Sequence, residues 1–472
     1  MTGRILLLVG LLMLIPLIVA VLYREDCAVY LAVTAALTAG VGLALAFLKP
    51  GEKTLYAREG FAIVAFSWIG ISLFGALPFF LSGEIPNYLD AVFETVSGFT
   101  TTGSSILNNV EAMSKGLLFW RSFTHWIGGM GVLVLIMAIS SPGDNSMHIA
   151  RAEIPGPTVE KFVPRMRNTA KLLYGIYLAM TLLEIVLLLL GGMNLFDSLT
   201  HAFGTAGTGG FSVRNASIAA YESPYLQWVI TIFMMLFGVN FGVYYLLLLR
   251  NWRKALKSSE LRWYIGIILA AVALITVNIR PLFDNFHDTL RAAAFQVSSV
   301  ITTTGYATAD FALWPEFSKA ILLFLMVCGA CAGSTGGGIK VSRLILLGKA
   351  VRREVARMLH PRAVRALKFD GKVVEEGRVH SVIVFFTLYM GLCCLSFLVL
   401  SLDRFDLETN LSAVLACLNN IGPGLNLVGP MGNYSEFSAL SKIVLCFDML
   451  LGRLEIYPIL LMLVPTAWKR RT

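Results

Sequence analysis

Apolar runs of about twenty residues, the length a helix needs to cross hydrocarbon, alternate along this chain with short polar connections. Ten such runs stand out: 5–23, 28–48, 60–82, 117–140, 172–192, 225–249, 262–279, 318–347, 379–401 and 438–466. Most carry no charge or a single one, so each is predicted as a membrane-crossing helix. The first run, with its lone Arg4, resembles a signal peptide, but no small-residue cleavage site precedes Arg24 and a second run follows at once. It therefore reads as retained. Between the later runs lie four amphipathic stretches, roughly 88–100, 195–207, 286–302 and 407–419, too short and too polar to cross. Irregular backbone at membrane depth is tolerated only where it lines a water-filled cavity. These stretches are predicted as re-entrant half-helices, whose inward-facing C-terminal dipole ends favour a cation.

Every half-helix ends in a glycine-bearing turn: Thr101-Thr102-Gly103-Ser104, Thr208-Gly209-Gly210-Phe211, Thr303-Thr304-Gly305-Tyr306 and Asn420-Ile421-Gly422-Pro423. Gly103, Gly210, Gly305 and Gly422 follow one another at intervals of 107, 95 and 117 residues. One such turn carries no information; four at near-equal spacing, on one side of the membrane and each between apolar runs, do. Glycine permits positive φ, so consecutive carbonyls can be aimed in one direction. Four such turns around an axis make a ring of dipoles able to replace the water shell of a monovalent cation. Copies one and three match best. Copy two doubles the glycine, and copy four substitutes Asn419 and Asn420 for threonine and adds Pro423 and Gly424. The expected fold is all-α and integral to the membrane, with two N-terminal helices in 1–50. Four span–half-helix–turn–span units follow at 51–150, 151–258, 259–370 and 371–472.

Charge sets the orientation. Of the 38 Lys and Arg, 27 fall in segments 49–60, 151–171, 250–262, 340–378 and 469–471, on alternate connections that therefore face the cytoplasm. The net charge of +9 reflects this topology, and no nucleic-acid partner is needed to explain it. The turn-bearing connections are acidic: Glu84, Asp90, Glu94, Glu111, Asp197, Glu222, Asp284, Asp288, Asp310, Glu316, Asp403, Asp406, Glu408 and Glu436. Two readings are open for these acids. They concentrate cations at an outer mouth, or they are simply the polar residues of loops outside the membrane.

Two further features break the apolar pattern. The run 318–347 contains Gly329, Gly333, Ser334, Thr335, Gly336, Gly337 and Gly338, then Ile339 and Lys340. Glycine costs about 1 kcal/mol per residue inside a helix, so three in a row unwind it. Small residues can instead form a packing face, but packing needs them spaced, and here they are contiguous beside a cation. A flexible intramembrane loop at 328–340, usable as a gate, is the preferred reading. Arg453 lies in the middle of the last run, near Asp448 and Glu455. A cation at that depth faces a cavity or a partner: it pairs with one of those carboxylates, stands in the pore as an electrostatic barrier, or does both. The seven cysteines suggest no framework. Cys393, Cys394, Cys417 and Cys446 sit in apolar runs, and Cys328 and Cys331 lack the second pair or histidines that a zinc site requires. The sequons at Asn215, Asn410 and Asn433 read as chance matches. No Ser/His/Asp set, H-E-x-x-H or Walker lysine is present, so an enzyme is not expected.

At these residues the chain resembles the Trk/Ktr/HKT superfamily of potassium transporters, in its TrkH branch. G-F-T-T-T-G (98–103), T-G-G-F-S (208–212), T-T-T-G-Y (302–306) and N-I-G-P-G (420–424) are similar to that family's four filters. A-G-S-T-G-G-G-I-K-V (332–341) is similar to its intramembrane loop, and H-W-I-G-G-M-G (125–131) to its second pore helix. The two extra N-terminal spans suit this branch over the shorter Ktr type. The resemblance implies four M1-P-M2 repeats around a pseudo-fourfold pore in the bacterial inner membrane. It also implies K⁺ as the transported ion, no organic cofactor, a homodimer and a cytoplasmic nucleotide-binding regulatory subunit of the TrkA kind. On this view the basic segment 349–372 is the docking surface, contact with anionic lipid adding to it. The implied K⁺ ligands are Thr101, Thr102, Gly103, Thr208, Gly209, Gly210, Thr303, Thr304, Gly305, Asn420, Ile421 and Gly422. The implied gate comprises Gly336, Gly337, Gly338, Lys340 and Arg453. One shared glycine per filter suggests weaker discrimination among K⁺, Rb⁺ and Na⁺ than in tetrameric channels. The alternative is a K⁺ symporter coupled to H⁺ or Na⁺ by alternating access, for which Glu184 and Asp448, besides Glu455, are the acids within spans.

Overall fold

The computed structural model describes residues 1–47, 57–131, 166–362 and 366–464. In chain order its helices are α1 (Thr2–Leu12), α2 (Leu14–Tyr23), α3 (Cys27–Phe47), α4 (Ala57–Leu81), α5 (Tyr88–Phe99) and α6 (Lys115–Gly129). Then come α7 (Met166–Leu190), α8 (Leu195–Gly207), α9 (Pro224–Phe237), α10 (Phe241–Leu248), α11 (Trp252–Leu256), α12 (Ser259–Ile279) and α13 (Phe286–Ile301). The last are α14 (Glu316–Cys328), α15 (Val341–Leu359), α16 (Glu376–Leu400), α17 (Leu407–Leu418), α18 (Ala439–Arg453) and α19 (Tyr457–Leu463). Among the described residues six helices are long and apolar enough to cross a membrane, and α9 with α10 makes a seventh, bent by 90°. The basic segments 151–165 and 469–471, Arg365, and the part of the run 117–140 beyond residue 131 lie outside the described residues.

Of the four short helices α5, α8, α13 and α17, all but α13 start on a side-chain cap. Side-chain oxygens of Asn87, Asn194 and Asp406 accept from the amides of Leu89, Asp197 and Thr409 at 2.9, 2.8 and 3.0 Å. This satisfies donors that the first turn leaves open. Each half-helix is amphipathic but wholly enclosed at its C-terminal end: Thr95–Phe99, Thr200–Gly207, Ala292–Ile301 and Ser412–Leu418 are buried. The surrounding long helices carry the lipid-facing apolar surface, with residues such as Leu182, Leu269 and Leu398 more than half exposed. The N-terminal α1 packs closely along α3, because Gly3, Gly10 and Gly42 let the backbones meet; a Cβ at Gly42 would lie 2.4 Å from the Leu7 amide.

Four expectations need correction. The run 225–249 is not one helix: it breaks at Gly238–Asn240, where the Asn240 side chain accepts from Gly242 at 2.7 Å and starts α10. The carbonyls freed at the break are taken by the hydroxyls of Tyr244 (to Leu236, 2.5 Å) and Tyr264 (to Met235, 3.0 Å). The last run breaks too, after Arg453, with Glu455 and Ile456 at φ of 58° and 68°. The fold is not purely helical, since Lys368–Phe369 (β1) pairs antiparallel with Lys372–Val373 (β2). Asp370 and Gly371, both at positive φ (48° and 78°), supply the tight turn between them. Finally, residues 125–131 close α6, the helix that follows the first turn, and form no pore helix.

Candidate functional site

Just past the four half-helices the backbone does the same thing four times. Thr101, Thr208, Thr303 and Asn420 take φ of 55°, 54°, 59° and 56°, and the glycine two places on, at 103, 210, 305 and 422, takes 85°, 73°, 86° and 96°. The amide between them reaches back into the helix: Thr102 to Ser97 (2.9 Å), Gly209 to Gly204 (2.8 Å), Thr304 to Ser299 (2.8 Å) and Ile421 to Ala416 (2.9 Å). A second bond runs from Thr101 to Gly98, Thr208 to Thr205, Thr303 to Val300 and Asn420 to Cys417, at 3.1, 3.0, 3.0 and 3.3 Å. These are Schellman caps, whose left-handed position normally falls to glycine or asparagine. Threonine is β-branched, and a strained left-handed residue costs on the order of 1–3 kcal/mol. Such strain persists only where the surroundings over-determine it, which marks these turns as a candidate functional site.

The four glycines then meet in a ring. A Cβ added at Gly103 would lie 2.0 Å from the Gly209 carbonyl oxygen, one at Gly210 2.0 Å from that of Thr304, and one at Gly305 2.0 Å from that of Ile421. The circuit closes at Gly422, whose Cβ would lie 2.8 Å from the Thr102 carbonyl oxygen. Each turn thus abuts the next in chain order, and the last returns to the first. Thr101, Thr102, Thr208, Gly209, Thr303, Thr304, Asn420 and Ile421 are buried behind it, whereas Gly103, Gly210 and Gly305 stay partly open. Copies one and three share a side-chain bond, Thr100 to Thr102 and Thr302 to Thr304, both 2.8 Å between hydroxyls. Asn420 ties the fourth turn to the first through its amide nitrogen on the Thr102 hydroxyl (2.9 Å). The Gly422 carbonyl already accepts from Tyr434 (2.8 Å) and Ser104 (3.1 Å), so this glycine's part in the ring is steric.

Outside the ring is a cavity of about 160 Å³ to which all four turns contribute, with Ser104, Asn108, Phe211, Ala307 and Tyr434 among its walls. Arg121 reaches this wall fully buried. Its Nε donates to Glu94 (2.6 Å), a second nitrogen donates to the Ser212 carbonyl (2.9 Å), and its guanidinium lies 3.5 Å over the Phe211 ring. Glu94 also accepts from the Ser105 hydroxyl (2.9 Å) and the Ile106 amide (3.0 Å), pinning the segment after the first turn. The acids of these connections are thus mostly engaged. Asp90 pairs with Lys442 (2.7 Å) and Asp197 with Arg214 (3.1 Å), while Asp403 and Glu84 accept from the amides of Ser438 and Ser114. The structural use of these acids prevails over an open acidic mouth.

On the opposite side, residues 329–340 form a non-helical segment between α14 and α15 that lies against the third and fourth turns. The Gly337 amide donates to the Thr303 hydroxyl (2.6 Å), and a Cβ at Gly337 would lie 2.4 Å from the Asn419 carbonyl oxygen. Lys340, buried, folds its ammonium back onto the carbonyls of Gly336 and Gly337 (3.0 Å to the latter). Arg453 contacts the same segment: it donates to the Thr335 carbonyl (2.8 Å) and to the carbonyls of Gly128 and Gly129 at the end of α6 (2.8 Å to Gly129). The two carboxylates expected near it each have another contact. Glu455 pairs with Arg343, and Asp448 accepts from Ser396 (2.8 Å). Sequence reasoning missed Glu260, a buried acid at the start of α12, because a glutamate in a helix's first turn looks like an ordinary capping residue.

Three comparisons with known proteins bear on this arrangement. A family model described as TrkH, cation transport protein, matches residues 29–469. The Trk system potassium uptake protein TrkH of Salmonella typhimurium is 37% identical over 465 residues, covering 97% of this chain and 96% of that protein. The Trk system potassium uptake protein TrkG of Escherichia coli is 32% identical over 475 residues, covering 99% of this chain and 98% of its own. The crystal structure of the potassium transporter TrkH from Vibrio parahaemolyticus superposes with a TM-score of 0.89 at 34% identity, covering 99% of this chain and 98% of that one. Family model, full-length relatives and superposition agree, and the chain belongs to the TrkH family of cation transport proteins as a multi-pass inner-membrane protein.

Proposed function

We propose that the protein takes up potassium across the inner membrane through a gated, channel-like pore built from four M1-P-M2 repeats. The observation that carries this reading is the closed ring of glycine-to-carbonyl contacts, 103 to 209, 210 to 304, 305 to 421 and 422 to 102. A ring assembled from four separated stretches of one chain, three of them on a strained threonine cap, supports a filter in which backbone and threonine oxygens strip the hydration shell of K⁺. Thr101–Gly103, Thr208–Gly210, Thr303–Gly305 and Asn420–Ile421 would supply the oxygens, with Gly422 completing the ring sterically. The segment 329–340 and Arg453 form the gate beneath it. The protein works as a homodimer whose cytoplasmic face binds a nucleotide-binding regulatory subunit, and K⁺ is its substrate.

The test is K⁺ flux into liposomes holding purified protein, with and without a pH or Na⁺ gradient. Flux that follows the K⁺ gradient and the voltage alone supports the pore. Glu184, wholly buried in α7, favours the second reading, an H⁺-coupled symporter. Uphill K⁺ movement driven by a pH gradient would establish that reading and overturn the first.

A further inference from the structure

The segment 329–340 is held at both of its feet by one carboxylate. Glu260 Oε1 accepts the Ala332 amide at 2.7 Å and the Ser342 amide at 3.1 Å, and the residue is 6% exposed. Ala332 lies near the start of the segment and Ser342 opens α15 just beyond its end, so a single atom clasps the excursion shut at its base. The clasp is reinforced by the Val341 amide on the Ala330 carbonyl (3.2 Å). The rest of the segment leans on the break between α9 and α10. There Cys331 donates to Gly238 (3.1 Å), Phe241 donates to Gly333 (3.0 Å), and the Thr335 hydroxyl donates to Phe237 (3.2 Å). Its tip meets the ring of turns through the Gly337 amide on the Thr303 hydroxyl and through close approaches to Thr302, Asn419 and Asn420. Apart from the ammonium of Lys340 and the guanidinium of Arg453 on the Thr335 carbonyl, these tethers are neutral hydrogen bonds, whereas Glu260 offers a carboxylate, and charge-assisted bonds are roughly twice as strong. Drawing the segment away from the ring separates its feet or turns α15, and either movement breaks a bond to Glu260.

We propose that Glu260 is a positioning residue that latches segment 329–340 beneath the filter and so sets the resting open fraction of the pore. It touches no ion and acts only through the loop. The proposal rests on the pore reading above and deepens it by naming what holds the gate.

The test is a pair of backgrounds in the full-length protein, assayed as ⁸⁶Rb⁺ or K⁺ flux in liposomes and normalised to folded protein. In the intact background Glu260→Ala should raise flux in the absence of the regulatory subunit by about tenfold, and Glu260→Gln, which keeps the shape and one acceptor, by a smaller factor. In a background lacking Gly336–Gly338, already open, neither substitution should change flux further. A merely structural role would lower flux and thermal stability in both backgrounds alike. Unchanged or reduced flux for both variants in the intact background, while the glycine deletion still raises it, overturns the latch and leaves the gate standing. An equal increase in both backgrounds also overturns it, because Glu260 would then act elsewhere. A deletion that itself leaves flux unchanged overturns the gate and the latch together. If Glu260→Ala does not fold, Glu260→Gln alone decides between these outcomes.

Discussion

At Gly103 the backbone angle and the neighbouring carbonyl forbid a side chain for separate reasons. Its φ of 85° disfavours any Cβ, and that atom would sit 2.0 Å from the Gly209 oxygen. Gly103→Ser should therefore push two quarters of the ring apart and lower the preference for K⁺ over Na⁺ by about tenfold, or about 1.4 kcal/mol. Gly175→Ser, where a Cβ meets nothing within 4 Å, is the control for expression and insertion. Equal K⁺/Na⁺ flux ratios in the two variants and the wild type would remove Gly103 from the filter. Arg453 and Arg343 make a second contrast. Arg453 donates to carbonyls of the gate segment and α6, so Arg453→Ala should raise cation conductance by removing a like charge and a tether together. Lysine there should keep part of the barrier without the planar fork. Arg343→Met should instead leave Glu455 without its ion partner and lower stability by about 2 kcal/mol, read as a fall in melting temperature in detergent. If Arg453→Ala is the variant that loses stability while its flux per folded molecule does not rise, the assignment is reversed. A lone cation in an apolar run could be read from sequence as needing a partner, but carbonyl partners leave no trace in residue identity.

Among the elements, the half-helices were the most legible. Their expected limits, 88–100, 195–207, 286–302 and 407–419, match the observed helices to within one residue at either end. Each is announced by an Asn or Asp before it and closed by a turn whose geometry demands a left-handed residue. The helices after the turns were less legible. The break at Gly238–Asn240 lies inside an apolar run whose hydropathy is that of an unbroken span, and Tyr264, one of the two tyrosines that satisfy it, comes from another helix. The break after Arg453 is set by two left-handed residues, Glu455 and Ile456, that no propensity would nominate. The glycine segment was legible as a break in the helix because three consecutive glycines unwind it. Deleting Gly336–Gly338 should remove an obstruction lying against Thr303 and Asn419, raising flux and weakening control by the proposed regulatory subunit. Unchanged flux through a folded deletion variant would leave the segment a packing role only.

Across the whole molecule, the cytoplasmic end of α15 presents a mixed surface. Arg352, Arg353 and Arg357 share it with Val351, Val355, Met358 and Leu359, all four more than half exposed. Apolar side chains in water beside basic ones fit a protein partner better than lipid alone, and α15 begins where the gate segment ends. Val355→Asp with Met358→Asp should therefore abolish co-purification of the proposed nucleotide-binding subunit from gently solubilised native membranes. Retention of that subunit by the double variant would place the docking site elsewhere. The ring described above has a last consequence, which concerns heredity more than mechanics. In a pore made of four identical subunits, one codon change strikes every quarter at once, so intermediate designs are never tried. Here a substitution alters a single quarter, and the quarters have already drifted: threonine in three left-handed positions, asparagine in the fourth, a doubled glycine in the second. The fit between the fourth and first quarters is also looser, 2.8 Å against 2.0 Å at the other three. If the ring is the filter proposed above, its ion preference can be adjusted by small, separately inherited steps, and that slack seam is where the next step would meet least resistance.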